Sequence, residues 1–280
     1  MGSADVVPGV SGGTMALILG IYEELIRSVR SIDIRFFRRL AAGRLRDAAA
    51  AVAWPFLFAL GAGILTAILT LARGISWALV HHAVLIWSFF FGLVLASVWS
   101  VGKELNRWDP TAVLWALLGG ASAYWIVGLV PVETPNAAWF LFLSGSVAIC
   151  AMILPGISGS FILVLLGKYH YVLDAVNQRD LASLIVFAAG AAVGLLSFVR
   201  LLNWLLERYR DPTLALLAGL MVGSLRKIWP WKTAAAGMLP VNVFPASFDS
   251  EVAAAVGLMV AGIAAVCLMN AAAGRIKNRS

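Results

Sequence analysis

The sequence predicts an all-α polytopic membrane protein, an inverted-topology repeat of about six transmembrane helices and two re-entrant helical hairpins. Three observations predict it. The chain is 61% hydrophobic, with mean hydropathy +0.91 and only 12% charged residues, against about 25% charged in soluble domains. Several nearly uncharged stretches reach the ~20 residues that a helix needs to cross hydrocarbon. A loop motif also occurs twice, as Pro8-Gly9-Val10-Ser11-Gly12-Gly13-Thr14 and as Pro155-Gly156-Ile157-Ser158-Gly159-Ser160.

The two copies align without gaps. Leu19-Gly20 matches Leu166-Gly167 and Tyr22 matches Tyr169, always 147 residues apart. The second copy therefore opens the second half, and a match of this kind marks an internal repeat. Both loops break a helix yet lead straight into apolar runs, Met15–Ile21 and Phe161–Gly167. Inside a membrane, that arrangement describes a broken helix lining a site.

Composition excludes other classes. Strand alternation is absent, which argues against a β-barrel. The net charge of +7 comes from arginines in loops beside apolar runs, a positive-inside bias rather than a nucleic-acid surface. The 26 glycines suit close helix packing in lipid. Cys150 and Cys267 sit in apolar runs without metal-ligand spacing, so no metal site is expected. No cleavable signal peptide is expected ahead of the first loop.

Two domains of one membrane unit follow, residues 1–136 and 137–280. The second hairpin has an apolar arm, Ala137–Leu154, that the first lacks; the first half is either trimmed or naturally shorter. A basic stretch follows, Arg27 to Arg46, with Ile32, Phe36 and Leu40 interleaved. It reads as an amphipathic cytoplasmic anchor, or as a gatherer of anionic substrate. Spans are expected at Ala50–Leu71, Ala78–Val101 and Thr111–Val130, with a loop at Arg73-Gly74. After the second hairpin they are expected at Leu181–Leu202, Pro212–Leu225 and Val252–Met269.

Re-entrant hairpins with three spans per half place fifteen Lys and Arg in the cytoplasm and six outside. That asymmetry favours a cytoplasmic C-terminus. Three is odd, so the two motif copies enter from opposite faces, as in many alternating-access carriers.

Proline and glycine let each loop turn and restart a helix. The first amides of that helix lack backbone partners and carry partial positive charge. Ser11, Thr14, Ser158 and Ser160 add hydroxyls, and a serine or threonine can also cap the restart. The glycines Gly9, Gly12, Gly13, Gly156 and Gly159 admit a ligand to the backbone, beside Pro8 and Pro155. Two such loops form a donor-rich cradle for an anion, either phosphate or carboxylate. The bland alternative is that they only permit tight packing of the hairpin tips. Asp5, near membrane depth, is a candidate coupling or gating residue, as are Glu23 and Arg200. Arg200 and Arg226 each follow an apolar run and can meet a phosphate or snorkel to the interface. No catalytic residue and no cofactor is expected beyond proton or ion coupling.

Ala4-Asp5-Val6-Val7-Pro8-Gly9-Val10-Ser11-Gly12-Gly13-Thr14, Gly20-Ile21-Tyr22-Glu23 and Ile153-Leu154-Pro155-Gly156-Ile157-Ser158-Gly159-Ser160 resemble a bacterial and archaeal membrane family. It was first catalogued as domain of unknown function 368 and is associated with polyprenyl-phosphate transporters of the PopT type. The resemblance covers nearly the whole chain. It departs at the missing first arm and at Gly167-Lys168-Tyr169-His170, where an apolar residue and an acid are more usual. It implies flipping of undecaprenyl phosphate across the cytoplasmic membrane, recycling the carrier lipid of cell-envelope synthesis. The two loops would bind the head group, and the implied partners are the polyprenyl phosphate and membrane lipids.

Two rivals remain. One is a small-anion carrier or channel. The other is an undecaprenyl-pyrophosphate phosphatase, whose loops resemble Pro-Gly-x-Ser-Arg-Ser. Gly12 and Gly159 stand in that arginine's place, and no Glu-x-x-x-Glu supplies acid and base.

Overall fold

A computed structural model describes residues 1–7, 10–233 and 241–277. The chain is helical almost throughout. A short α1 (Gly2–Asp5) leads to α2 (Gly12–Ile18) and α3 (Tyr22–Arg30). The basic stretch continues as α4 (Ile34–Ala41) and α5 (Leu45–Ala50). Then come α6 (Trp54–His81), α7 (Ala83–Lys103) and α8 (Pro110–Ile126). The second half holds α9 (Ala138–Ile153), α10 (Gly159–Leu165), α11 (Tyr169–Gln178), α12 (Leu181–Arg208), α13 (Arg210–Ile228) and α14 (Ser250–Lys277). Between α13 and α14 a ribbon pairs β1 (Lys232–Thr233) with β2 (Val241–Asn242).

Local chemistry sets many of these boundaries. Asp33, Asp109 and Asp180 cap α4, α8 and α12, each carboxylate accepting a bond from a first-turn amide. Pro55 and Pro110 open α6 and α8, where a missing N–H costs nothing. Among the described residues, α6, α7, α12 and α14 are long and apolar enough to cross a membrane. The protein is therefore a multi-pass membrane protein. The helices α10 and α11 meet at 103°, a broken span or re-entrant turn.

One expected boundary is corrected. Arg73-Gly74 is no loop but lies inside α6, and the chain turns instead at His82. A backbone in hydrocarbon must satisfy its own hydrogen bonds, so the helix runs through both residues. Arg73 is exposed there, and its long side chain can reach toward the interface.

The interior is made by pairs of helices in close approach. α7 packs on α14 and α13 on α8, with α7 and α13 touching between them. Gly92 of α7 lies on the carbonyl of Met259, and Gly219 of α13 on that of Ala116. A side chain at either position would strike backbone, so glycine sets the helix separation. α9 packs on α12 in the same close manner. By contrast, no residue of α6 is buried, and its apolar surface faces lipid.

Candidate functional site

The two motif loops touch. Ser11 caps α2, its Oγ accepting from the Gly13 amide at 3.1 Å. The same hydroxyl faces the carbonyls of Met152 at 3.0 Å and Leu154 at 3.1 Å. Thr14 Oγ1 accepts from the Gly156 amide at 3.1 Å, and the buried Tyr22 hydroxyl donates to the Ile153 carbonyl at 3.2 Å. Gly13 rests on that Ile153 carbonyl, where no Cβ fits. Asp5 Oδ1 accepts from the Gly12 amide at 2.8 Å. Pro8 and Gly9 lie outside the described residues.

The first loop is thus no open cradle. Its donors are taken by its own chain, because a buried amide left unpaired costs about 1–3 kcal/mol. The hydroxyls of Ser11 and Thr14 hold the second loop rather than waiting for a ligand.

The second loop differs. Pro155, Gly156, Ser158 and Gly159 are buried. The Ser158 side chain caps nothing; its Oγ pairs with Ser160 Oγ at 2.7 Å. Ser160 is exposed and lines a cavity of about 1120 Å³. Phe161 and Val164 of α10 and Val222 and Leu225 of α13 line it as well. Tyr124 and Gly128 at the end of α8, and Phe91 of α7, complete the wall.

Three cations line this cavity: Arg226, Lys227 and Lys232. Arg226 donates to the Tyr124 carbonyl at 2.9 Å and lies over the Tyr124 ring at 4.3 Å. Lys227 Nζ sits 4.5 Å from the centre of the Phe161 ring, and Lys232 Nζ 5.0 Å from that of Trp87. Lys232 also donates to the Lys227 carbonyl. Among the described residues none of the three forms an ion pair. Ring faces and carbonyls attract a cation without neutralising it. Lys232 lies beyond the end of α13, where burial and then the neighbouring Lys227 push its ammonium down to about 8. Among the described residues, Asp5 is the one acid on the wall.

Other expected residues lie elsewhere. Arg200 is exposed on α12, with Asp33 as an electrostatic neighbour, and does not line the cavity. Glu23 meets Arg210 at 3.2 Å, and Arg210 also reaches Glu104 at 3.9 Å. That cluster joins α3, the end of α7 and the start of α13. The departure at Lys168 has a structural role. Its buried Nζ donates to the Thr134 carbonyl at 2.9 Å and to Asn136 Oδ1 at 2.6 Å, tying the linker between the halves to the second hairpin.

Sequence reasoning weighed Arg226 but not Lys227 or Lys232. The available signal was the run Arg226-Lys227-Ile228-Trp229-Pro230-Trp231-Lys232, cations interleaved with aromatics just past an apolar helix.

A family model described as "VCA0040-like: Undecaprenyl phosphate translocase-like" matches residues 1–244. The chain is 50% identical over 232 residues to a protein of Vibrio cholerae named polyprenyl-phosphate transporter, covering 83% of this chain and 75% of that one. It is 30% identical over 264 residues to a Staphylococcus aureus protein of the same name, covering 87% and 85%. No solved structure matches.

Proposed function

The chain belongs to this VCA0040-like, undecaprenyl phosphate translocase-like family, and we propose that it carries undecaprenyl phosphate across the cytoplasmic membrane, returning the carrier lipid of envelope synthesis. The observation that carries the reading is the cavity bordered by half-buried Lys227 and Lys232 and exposed Arg226, none with an ion pair among the described residues. A half-buried charge without an ion pair is costly, and an entering anion offsets that cost. The head group sits against Lys227, Lys232 and Arg226, with the Ser160 hydroxyl as a further donor. The prenyl tail stays in lipid, so the barrier removed is that of drawing the phosphate through hydrocarbon.

Residues 1–136 and 137–280 act as two inverted repeats in this reading. Matching lengths support it: α2 and α10 have 7 residues each, and α6 and α12 have 28 each. The crossed pairing of α7 with α14 and α8 with α13 supports it too. The loops containing Gly12, Gly13, Gly156 and Gly159 form the pivot between the halves. Asp5, on the cavity wall, is the residue we assign to ion or proton coupling. The second reading, a small-anion carrier, draws on the same cations.

Proteoliposomes separate them. Purified protein should move a labelled short-chain prenyl phosphate between leaflets, and the double variant Lys227→Gln/Lys232→Gln should not. Inorganic phosphate flux without lipid movement would favour the small-anion carrier. Phosphate release from a prenyl pyrophosphate would favour the phosphatase.

A further inference from the structure

The contact between the motif loops is one-sided, and the repeat says what the other side would be. Tyr22 matches Tyr169, and Ile153, whose carbonyl Tyr22 holds, matches Val6 at the same offset of 147. Tyr22 is buried in its contact. Tyr169 and Val6, the matching pair, both line the cavity. The Tyr169 hydroxyl has no hydrogen-bond partner among the described residues. In the same way, α2 packs directly on α7, whereas α10 and α13 both border the cavity and meet through Lys227 and Phe161.

We propose that Tyr169 is the gate residue of the cavity: closure brings its hydroxyl to the Val6 carbonyl while Tyr22 releases Ile153. This inference rests on the carrier reading above. The closed clasp at Tyr22 and the open pair at Tyr169 are then two ends of one rocking motion, in which each half takes the place of the other. The cavity lies where the second clasp forms, so its closure on one side is coupled to an opening on the other.

The two clasps are unequal, and the inequality sets the resting state. Thr14, which accepts from Gly156, matches Phe161, which has no acceptor. Gly13, which lets the Ile153 carbonyl come close, matches Ser160, whose side chain stands in the equivalent place. The second clasp therefore lacks one hydrogen bond and meets the bulk of Ser160. It is the weaker clasp, and the Tyr22 side is the closed one at rest. A head group bound at the three cations favours the second clasp by drawing α10 and α13 together.

Paired cysteines, bridged by a bifunctional thiol reagent that spans the reach of a tyrosine side chain, test this in proteoliposomes. One variant carries Tyr22→Cys with Ile153→Cys, the other Val6→Cys with Tyr169→Cys, both with Cys150 and Cys267 replaced by Ala. Without lipid, the first pair should cross-link and the second should not. A short-chain prenyl phosphate should lower the first yield and raise the second. Ser160→Gly should raise the second yield without lipid. Should the second pair never cross-link while the variant binds lipid, or should the two pairs cross-link to equal yield without lipid, the gate is refuted. Binding of the labelled lipid, measured on the same samples, separates the two failures. Binding without cross-linking sinks the gate alone, whereas no binding sinks the carrier reading.

Discussion

Lys227 and Lys232 carry the largest expected effects of any single residues. A hydrogen bond to a charged group contributes about 1.5–3 kcal/mol, and about 1.4 kcal/mol is tenfold in affinity. Lys227→Gln and Lys232→Gln should therefore each weaken prenyl phosphate binding about tenfold or more, read by titration in detergent. The pH dependence has a definite sign. Lys232 is protonated below about 8 and loses its charge as pH rises through that value. A phosphate monoester is already close to dianionic above pH 7. Affinity should therefore fall from pH 7 to pH 9, and Lys232→Gln should flatten that fall; a rise would place the head group elsewhere. At the clasp, Tyr22→Phe removes one hydrogen bond to Ile153 and should cost about 0.5–1.5 kcal/mol of stability, measured by thermal melting. The serines and threonine of the first loop were legible as donors. Their use was not, because a single sequence does not say whether a hydroxyl meets a ligand or the other half of the chain.

Helices were more legible than their ends. Four of the six expected spans fall in helices long and apolar enough to cross a membrane, α6, α7, α12 and α14, whereas those in α8 and α13 do not; the repeated loop marked where the chain breaks. The Arg73-Gly74 loop failed because charge and glycine argue for a boundary only where water or a neighbour can take up the freed backbone groups. α6 has neither there, so it continues to His81. The contacts between helices were invisible in composition, which showed many glycines but not which ones face a carbonyl. Gly219 gives the sharpest test. A side chain there would strike the Ala116 backbone, and overpacking costs about 1–3 kcal/mol or more. Gly219→Leu should thus lower the melting temperature strongly, whereas Gly61→Leu, on the open surface of α6, should leave it near that of the parent.

At the scale of the whole molecule, the proposed account joins an open cavity on one side to a closed clasp and the Glu23–Arg210–Glu104 cluster on the other. Its topology predicts that Glu207→Cys is labelled from the cytoplasmic side and Phe248→Cys, fully displayed between α13 and α14, from outside. The reverse pattern would place the cavity on the wrong leaflet for carrier return. What the sequence concealed at this scale was the asymmetry. Two matched loops imply two matched sites, yet one is filled by Asp5 and clasped by Tyr22 while the other borders three cations. Single residues outside the shared pattern make that difference: Asp5 matches Met152, and Lys227 and Lys232 match Val80 and Leu85.

The most direct measurement is an experimental structure of the protein with a polyprenyl phosphate bound. The account predicts a phosphate within hydrogen-bonding reach of Lys227 Nζ, Lys232 Nζ and Ser160 Oγ, with the prenyl chain leaving the cavity toward lipid. A phosphate bound outside this cavity, with the three cations untouched, would contradict it.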